Sequence, residues 1–260
     1  GRSFSQKFDA GSGIVSPYLD SIGARIIDKL IISHGDADHS GGAAQLAERH
    51  AVMEVNAPAE LVLCLSSGSR HCLPASWNKK PLLMPVRARR YQSCETPSRW
   101  RWGQTHFSLF SFRSTFTQRG GRSNHPHANA RNNRSCLLLI EHHGTSVLLT
   151  GDIEAVAERG LLSSGMLPSD IDWMTAPHHG SKTSSTKAFL AQLRPRNVVF
   201  QYGHNNSYRH PHKTVVERYI NVGSHILSTD QLGAIQLSVN GSGEQVVTRM
   251  RQERRRFWYH

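Results

Sequence analysis

Short runs of apolar residues recur along the chain and end at glycines or at clusters of polar residues. Runs of about four to eight such residues between turn-forming residues are typical of strands, and apolar residues spaced three and four apart are typical of helices. The pattern predicts strands at residues 29–32, 107–112, 136–141, 145–150, 171–176, 197–202, 225–227 and 234–239, and helices at 14–22, 41–50, 153–162, 213–221 and in a segment that ends near 193.

The predicted elements repeat the order strand, polar loop, helix, which is typical of an α/β domain whose ligand sites lie at strand ends. A chain of 260 residues is long enough for one such domain with a substantial core. We therefore expect one domain over residues 1–245. Residues 246–260 are rich in arginine and end in Phe-Trp-Tyr-His, which predicts a disordered basic tail or an added sequence.

The densest group of polar side chains follows the predicted strand at 29–32. There the sequence Ser-His-Gly-Asp-Ala-Asp-His-Ser-Gly-Gly places His34, Asp36, Asp38 and His39 within six residues. Imidazole and carboxylate both bind divalent metals, and a pair of ions needs shared, mostly anionic ligands. This loop therefore predicts a two-metal site, and an ordinary polar loop is the less favoured interpretation.

Further candidate ligands follow two later strands. Asp152 comes directly after the strand at 145–150, where it either bridges two metals or caps the next helix. His178 and His179 follow the strand at 171–176, and we expect one of them to complete the second metal site. Asp9 lies in a glycine turn, where it is either an ordinary turn residue or, as the resemblance described below implies, a residue that helps to orient the metal loop.

The charge of the chain points to an anionic partner. The formal net charge is +12 and the sequence pI is near 10.1, which favours a polyanion or an anionic membrane surface over a merely soluble basic protein. No run of 18 apolar residues and no signal peptide is present, so this stretch by itself is expected to be soluble.

Arginines and aromatic residues alternate through much of residues 70–134. This combination suits single-stranded nucleic acid, because arginine binds phosphates and aromatic rings stack on bases. The competing interpretation places the aromatic residues in the core and the charges on a solvated face. The arginine-rich loop before residue 135 offers four candidate DNA contacts, Arg119, Arg122, Arg131 and Arg134.

Taken together, the motifs resemble one branch of the metallo-β-lactamase superfamily. His-x-Asp-x-Asp-His-Ser-Gly-Gly, Asn-Asn-Arg-Ser at 132–135, Leu-Leu-Thr-Gly-Asp at 148–152, Pro-His-His-Gly-Ser at 177–181 and Asn-x-Tyr-x-His-Pro-His at 206–212 follow the order of the C-terminal domain of ComEC-type competence proteins. The resemblance implies a four-layer αβ/βα sandwich. Asp36 replaces the second histidine of the superfamily signature, Gly35 stands where the family often has proline, and the first strands are expected to be missing.

The resemblance also implies site residues. The metal ligands would be His34, Asp36, Asp38, His39, Asp152 and His178, with His179 as the alternative to His178. Asp38 and Asp152 would serve the reaction directly, and His210 or His212 would protonate the leaving oxygen or hold a phosphate. Lys182, Ser181 and Asn206 would bind the substrate, and the start of the helix after Ser181 could hold a phosphate.

The implied cofactor is a pair of divalent ions, with no organic cofactor. Because a carboxylate is a harder ligand than imidazole, Asp36 favours Mn²⁺, while Zn²⁺ and Mg²⁺ remain compatible.

The implied function is a nuclease that degrades the DNA strand that is not imported, as part of a membrane channel for DNA. A hydrolase of another phosphoester, such as a cell-wall phosphocholine ester, and a non-catalytic DNA-handling module are the alternatives. The family's domain is expected to face outside the cytoplasm. In that compartment we predict the disulfides Cys94–Cys136 and Cys64–Cys72, whereas in the cytosol the four cysteines would be buried thiols.

Overall fold

The computed structural model of the protein describes residues 3–5, 8–67, 86–113 and 131–253. Its first part is a small parallel sheet of three strands in sequence order, β3, β4 and β5. A short antiparallel pair, β1 and β2, a π-helical turn at Gly11–Val15 and helix α1 precede this sheet. The bounds are β1 (Ser3–Ser5), β2 (Phe8–Asp9), α1 (Ser16–Ser21), β3 (Ile26–Ile31), β4 (Ala51–Ala57) and β5 (Ala88–Ser93).

Three helices accompany the small sheet. Helix α2 (Ala37–Ser40) and helix α3 (Ala43–Arg49) divide the region where one helix was predicted at 41–50, and α4 (Ala59–Ser67) follows β4. Alanines of α3 and the leucines Leu61 and Leu65 of α4 pack with Val52 and Val55 of β4. The helices and the small sheet therefore share one buried apolar cluster.

The second sheet has seven strands in the order β12-β11-β10-β9-β8-β7-β6. Strands β6 to β9 form antiparallel neighbours, and β9 to β12 run parallel. The bounds are β6 (Ser98–Trp102), β7 (Thr105–Ser111), β8 (Cys136–His142), β9 (Thr145–Leu149), β10 (Trp173–Thr175), β11 (Asn197–Phe200) and β12 (His225–Ser228). The hairpin predicted at 136–150 is confirmed.

Helices α5 (Ala155–Ser164), α6 (Lys187–Leu193) and α7 (Lys213–Asn221) cover the large sheet. Leu161, Phe189 and Tyr219 are buried against its apolar strands. In α7 the buried residues Val215 and Tyr219 are four positions apart, as the helical pattern predicted. None of the helices among the described residues is long and apolar enough to cross a membrane.

The two sheets meet through a small cluster of their own. Leu109, Cys94 and Cys136 are buried there, with Ile31 of β3 and Leu138 of β8 packed against them. Cys94 and Cys136 form a disulfide between the end of β5 and the start of β8, which confirms that pairing. The pairing Cys64–Cys72 stays a prediction because residue 72 lies outside the described residues.

The C-terminal region is more ordered than predicted. Strands β13 (Ile235–Val239) and β14 (Gln245–Arg249) pair in register, with α8 (Thr229–Leu232) before them and α9 (Met250–Glu253) after them. Gln245 accepts a hydrogen bond from the indole of Trp173 at 2.8 Å and donates one to Thr145 at 3.0 Å. The domain boundary expected at residue 246 is therefore wrong, because it falls inside a strand anchored to the large sheet. Residues 254–260 lie outside the described part.

Candidate metal centre

The candidate ligands come from three loops that each follow a strand. The loop after β3 carries His34, and helix α2 then presents Asp38 and His39. Asp152 follows β9, and a 3-10 turn at Pro177–Gly180 after β10 carries the two adjacent histidines. Since β9 and β10 are parallel neighbours, their ends bring two of these loops to one edge of the sheet.

The carboxylate of Asp152 lies between three imidazoles. Its Oδ1 is 3.2 Å from His39 Nε2, and its Oδ2 is 3.8 Å from His34 Nε2 and 3.6 Å from His179 Nε2. The Oδ2 of Asp38 is 3.3 Å from His179 Nε2 and 3.7 Å from His39 Nε2. Two groups therefore could hold an ion, His34 with His39 and Asp152, and Asp38 with His39 and His179.

The His34 side chain supports a metal at this place. It is 1% exposed, and its Nε2 has no hydrogen-bond partner among the described residues, although Nδ1 lies 3.2 Å from Ser33 Oγ. A buried polar atom without a partner is costly. A divalent ion at Nε2 removes that cost, so the donor set fits the cofactor that the sequence predicted.

The protonation states also suit metal binding. Burial, together with the charge of His39, lowers the pKa of His34 to about 3, so this imidazole is neutral. Burial alone would raise the pKa of Asp152, but the hydrogen bond and charge of His39 and the charges of His34 and His179 outweigh it and bring the pKa to about 2. The hydrogen bond from His179 holds the pKa of Asp38 far below its usual range. Neutral imidazoles and ionised carboxylates are the forms that coordinate metals. Burial lowers the pKa of His179, but the hydrogen bond to Asp38 and the charges of Asp152 and Asp38 outweigh it and raise that pKa, so His179 would have to release a proton when it binds an ion.

A sequence model of the metallo-beta-lactamase superfamily matches residues 7–81 and 85–204. The chain belongs to the metallo-β-lactamase superfamily. The fold predicted from the resemblance is thereby confirmed. The superfamily binds divalent metals, often two, and is a superfamily of metal-dependent hydrolases.

Three relatives resemble this member of the superfamily over most of its length. Recombination protein 2 of Haemophilus influenzae is 29% identical over 224 residues, which cover 86% of this chain and 24% of that protein. ComE operon protein 3 of Bacillus subtilis is 29% identical over 237 residues, which cover 90% and 27%. Competence protein ComA of Neisseria gonorrhoeae is 30% identical over 237 residues, which cover 90% and 28%. The chain thus spans about a quarter of the length of these relatives.

Of the two adjacent histidines, the structure places His179 in the metal cluster. Its Nδ1 lies 2.7 Å from the carbonyl oxygen of Gln201, which directs Nε2 toward Asp38 and Asp152. His178 points to a different set of partners and lies in neither candidate group. The alternative ligand therefore replaces the first choice. Both residues have a positive φ, so the backbone turns sharply between them and separates their side chains.

The partners of His178 were missed in the sequence. Glu154 Oε1 is 3.3 Å from His178 Nδ1, Thr183 donates a hydrogen bond to the same carboxylate at 3.1 Å, and Asn132 Nδ2 lies 3.4 Å from His178 Nε2. Glu154 also occupies the N-cap position of α5, so the alternative role of Asp152 as that cap is wrong. The acid two positions after Asp152 was the available signal.

Asp36 is paired to a cation. Its Oδ1 is 2.7 Å from the guanidinium of Arg131, and its Oδ2 is 3.8 Å from His34 Nε2. Burial, with the charges of Asp38 and Asp152, raises its pKa despite the arginine. Asp36 thus lies at the rim of the cluster beside His34, outside the two groups that could hold an ion.

Two serines brace the ligands. Ser33 Oγ lies 3.0 Å from His39 Nδ1, and Ser135 Oγ lies 3.4 Å from His34 Nδ1 while it accepts the backbone N–H of Asp152 at 3.1 Å. Cys136 donates its backbone N–H to the Ser33 carbonyl at 2.8 Å. The metal loop is therefore attached to the first residues of β8, a role that the sequence did not reveal.

Asp9 organises the turn beneath the metal loop. Its Oδ1 accepts the backbone N–H of Ser12 at 2.9 Å, and Ser12 Oγ donates to its Oδ2 at 3.0 Å. The same turn places Gly11 so close to Gly42 that neither position has room for a Cβ. Asp9 is therefore a turn residue whose turn packs against the residue that ends the metal motif, and its role in orienting the metal loop stays a prediction.

Several predicted substrate residues have structural partners instead. Asn206 donates to the carbonyl of His210 and accepts its N–H, both at 2.8 Å, so its amide braces a loop. The side chain of His212 accepts the N–H of Thr214 and caps α7. Ser181 is buried and lies 3.1 Å from Thr183 Oγ1. The roles predicted for Asn206, His212 and Ser181 are therefore not favoured. His210 remains beside the site, with its ring 5.9 Å from that of His178.

Side chains of the protein occupy much of the start of helix α6. Thr186 caps the helix through Phe189, and the buried carboxylate of Glu158 accepts the N–H groups of Ser185 and Thr186. The N–H groups of Ser185, Thr186 and Phe189 are therefore occupied. Capping was the competing interpretation of these residues, and it is the one that the structure shows.

The predicted arginine contacts divide into two groups. Arg131 pairs with Asp36, and Arg134 pairs with Glu60 at 2.6 Å, so both guanidinium groups already bind acids. Arg119 and Arg122 lie outside the described residues. Lys182, in contrast, is exposed and belongs to none of the ion pairs within the described residues.

Proposed function

We propose that this domain is a metal-dependent phosphodiesterase that cleaves DNA during DNA uptake. The observation that carries the proposal is the position of Asp152, whose two oxygens face different histidines at 3.2–3.8 Å. A carboxylate in this position is suited to bridge two ions. His34 and His39 would hold one side of the site, and Asp38 and His179 the other.

The bound ions, with Mn²⁺ favoured over Zn²⁺ and Mg²⁺, would supply Lewis-acid chemistry at a phosphoryl oxygen and at the attacking water. The protein would orient that chemistry. Ser33 and Ser135 contact the far sides of the two imidazoles of the metal loop, which fixes the direction of Nε2 in each ring. His210, beside His178, is the remaining candidate for protonating the leaving oxygen.

The proposal of DNA as substrate rests on charge and on the relatives. A net charge of +12 favours a polyanion over a small ester. Three relatives of this chain carry names that refer to recombination or competence. Since the chain spans about a quarter of their length, we also propose that it works as one part of a longer membrane protein and faces outside the cytoplasm.

The first prediction tests this function with two matched substitutions. Asp152→Asn removes the charge between the histidines, whereas Asp170→Asn removes an exposed carboxylate that pairs with Arg194 on the surface. With linear DNA and Mn²⁺, Zn²⁺ or Mg²⁺ in turn, we expect cleavage by the native and Asp170→Asn proteins and at least about a hundredfold loss in Asp152→Asn. After dialysis, Asp152→Asn should also retain less metal than the native and Asp170→Asn proteins.

Three results would contradict the proposal. Full cleavage by Asp152→Asn would remove the bridging role of this carboxylate. Turnover of p-nitrophenyl phosphocholine without any cleavage of DNA would replace the nuclease with the other phosphoesterase. Retained DNA binding without cleavage of either substrate would identify a non-catalytic module.

A further inference from the structure

The loop at residues 203–210 holds an aromatic side chain out into solvent beside the metal centre. Of the large apolar side chains described, Tyr208 is the most exposed, at 73%. A single exposed aromatic side chain is common on a protein surface, so exposure alone indicates no ligand. The surroundings of Tyr208, rather than its exposure, point to a ligand.

The loop that carries Tyr208 is fixed rather than merely exposed. Asn206 bonds to both backbone groups of His210 at 2.8 Å, and the N–H of Arg209 donates to the carbonyl of Asn206 at 3.2 Å. These bonds close a compact turn around Ser207 and Tyr208. The tyrosine ring is therefore presented from a braced backbone, so a ligand that binds it has less loop entropy to overcome.

The same loop is docked against the turn that carries the histidines of the site. His212 donates its backbone N–H to the carbonyl of Gly180 at 2.9 Å. A Cβ at Gly180 would lie 2.8 Å from Pro211 Cβ, which shows how closely the two segments approach. Because Gly180 directly follows His178 and His179, the distance between the loop and the metal centre is fixed by backbone contacts.

Three aromatic rings form a row from solvent toward the metal centre. The rings of Tyr208 and His210 are nearly parallel, with centroids 5.9 Å apart and planes at 11°. The ring of His210 is in turn 5.9 Å from that of His178. A flat group that lies on Tyr208 would therefore extend a row that passes through His210 and ends at His178, next to the candidate ligand His179.

Three cations lie close in the sequence to the residues of the row, whereas the carboxylate of Glu154 lies 3.3 Å from His178 at the inner end of the row. Arg209, Lys182 and Lys213 are all exposed and belong to none of the ion pairs within the described residues. These cations attract phosphate groups. They also repel a quaternary ammonium group, which is the other kind of ligand that an exposed aromatic ring commonly binds.

We propose that Tyr208 is a stacking platform for an unpaired base of the DNA substrate, next to the phosphate that enters the metal centre. This inference rests on the proposed function and adds a substrate class to it. A base within a duplex already has neighbours on both of its faces, so only a single-stranded or frayed nucleotide can stack on Tyr208. The site therefore prefers single-stranded DNA over duplex DNA.

The test compares binding of two probes in the Asp152→Asn background, so that no probe is cut. One probe is a short fluorescein-labelled oligo-deoxythymidylate, and the other is the same backbone with abasic sites. Stacking on an aromatic side chain contributes about tenfold or more in affinity for each base. We expect Tyr208→Ala to weaken the thymidylate probe about tenfold and to leave the abasic probe unchanged. Tyr208→Phe, which keeps the ring, should restore the affinity.

A matched control is Tyr18→Ala, which removes another exposed tyrosine from helix α1. This control should bind both probes like the Asp152→Asn parent. An equal loss on both probes in Tyr208→Ala would overturn the inference, because the residue would then act on the backbone or on the fold. An unchanged affinity for the thymidylate probe would overturn it as well.

The outcome is separable from that of the proposed function. If the native protein cleaves DNA but Tyr208→Ala weakens binding of both probes equally or of neither, only the stacking platform is refuted. If no metal supports cleavage yet Tyr208→Ala weakens binding of the thymidylate probe alone, the nuclease is refuted and the base contact stands. If Tyr208→Ala loses turnover of p-nitrophenyl phosphocholine while its DNA binding is unchanged, the ring binds a choline group and the inference is overturned.

Discussion

Two glycines let the metal loop lie against the turn at Asp9. The Gly11 and Gly42 backbones are in contact, and the Oδ1 of Asp9 would lie 3.0 Å from a Cβ at either position. Gly42 is the last residue of the metal motif, so its place fixes where helix α3 begins after His39. A side chain at this point would push the turn and the metal loop apart.

The second prediction concerns this contact. In Gly42→Ala the new Cβ would lie 2.5 Å from the backbone nitrogen of Gly11, which cannot move without displacing its turn. We expect a loss of roughly 1–3 kcal/mol in the free energy of unfolding, the usual effect of overpacking. Denaturant unfolding measures it, with Gly241→Ala as the control, because a Cβ there meets no atom within 4 Å. Equal stability of the two variants would mean that the close approach is not maintained in solution.

The third prediction separates a free cation from a paired one. Lys182 is exposed, whereas Arg134 is 21% exposed and bound to Glu60. A plot of the logarithm of the single-stranded DNA binding constant against the logarithm of the salt concentration has a slope that counts phosphate contacts. Lys182→Ala should reduce the magnitude of this slope by about 0.7, which corresponds to one phosphate contact. Arg134→Ala should leave the slope unchanged and lower stability instead. If Arg134→Ala reduced the slope and Lys182→Ala did not, DNA would bind along the arginine-rich loop before residue 135 instead.

The sequence identified most residues of the cluster because one motif concentrates them. His34, Asp38 and His39 are adjacent in the chain, and Asp152 follows an unmistakable hairpin. The choice between His178 and His179 depends on their positive φ angles, which cannot be predicted from the residue types alone. Ion pairs with distant residues escaped prediction for the same reason, since Arg134 and Glu60 meet only in the folded chain.

At the scale of elements, the three strands of the small sheet share one buried acid. Glu54 of β4 pairs with Lys29 of β3 and with Arg90 of β5, and it accepts a hydrogen bond from Asn56 at 3.0 Å. Burial raises the pKa of Glu54, but the hydrogen bonds from Lys29, Arg90 and Asn56 outweigh it and leave the pKa below its ordinary value of 4.5. Ionised Glu54 thus links three strands.

The fourth prediction follows from that direction. A carboxyl whose pKa is lowered by folding contributes stability that is complete above pH 4.5 and is lost as the pH falls through the lowered value. Glu54→Gln should therefore unfold more easily near neutral pH, by about 2 kcal/mol, and the gap to the native protein should narrow on acidification. Urea unfolding across a pH series measures both. Glu48→Gln, at an exposed position, serves as the control. If the difference in unfolding free energy between the native protein and Glu54→Gln did not change with pH, ionised Glu54 would not stabilise the sheet through Lys29 and Arg90.

Helices and strands were predicted correctly where the spacing of apolar residues within one short segment determines the structure. Helix α7 occupies the predicted residues, because its buried positions alone show the helical spacing. Prediction was less accurate where a strand end becomes a functional loop. The strand expected at 171–176 is only Trp173–Thr175, because residues on both sides turn to serve the histidines and the neighbouring loops.

At the scale of the whole molecule, one covalent bond joins the two sheets. The Cys94–Cys136 disulfide connects residues 42 apart and is buried between β5 and β8. Beside it, the Cys136 N–H holds the carbonyl of Ser33 at the start of the metal loop. The relative position of the sheets and the position of the metal loop thus depend on the same residue.

The fifth prediction concerns this bond. Closing a loop of this length restricts the unfolded chain by about 4 kcal/mol. The double variant Cys94→Ala with Cys136→Ala should lose stability of that order in denaturant unfolding under non-reducing conditions. Thiol titration of the unreduced, denatured native protein should find no free groups. Free thiols equal to two cysteines would show instead that Cys64 and Cys72 are unpaired.

Strand β6 ends the large sheet among the described strands, so one row of its backbone groups has no neighbouring strand there. Such an edge is a template on which another chain can add a strand and start an aggregate. Arg99 and Arg101 are exposed on β6, beside Trp102 at 49% exposure. A second copy approaching in the same way would bring its own arginines against these two. The edge that would otherwise nucleate self-assembly thus carries the charges that keep copies of the protein apart.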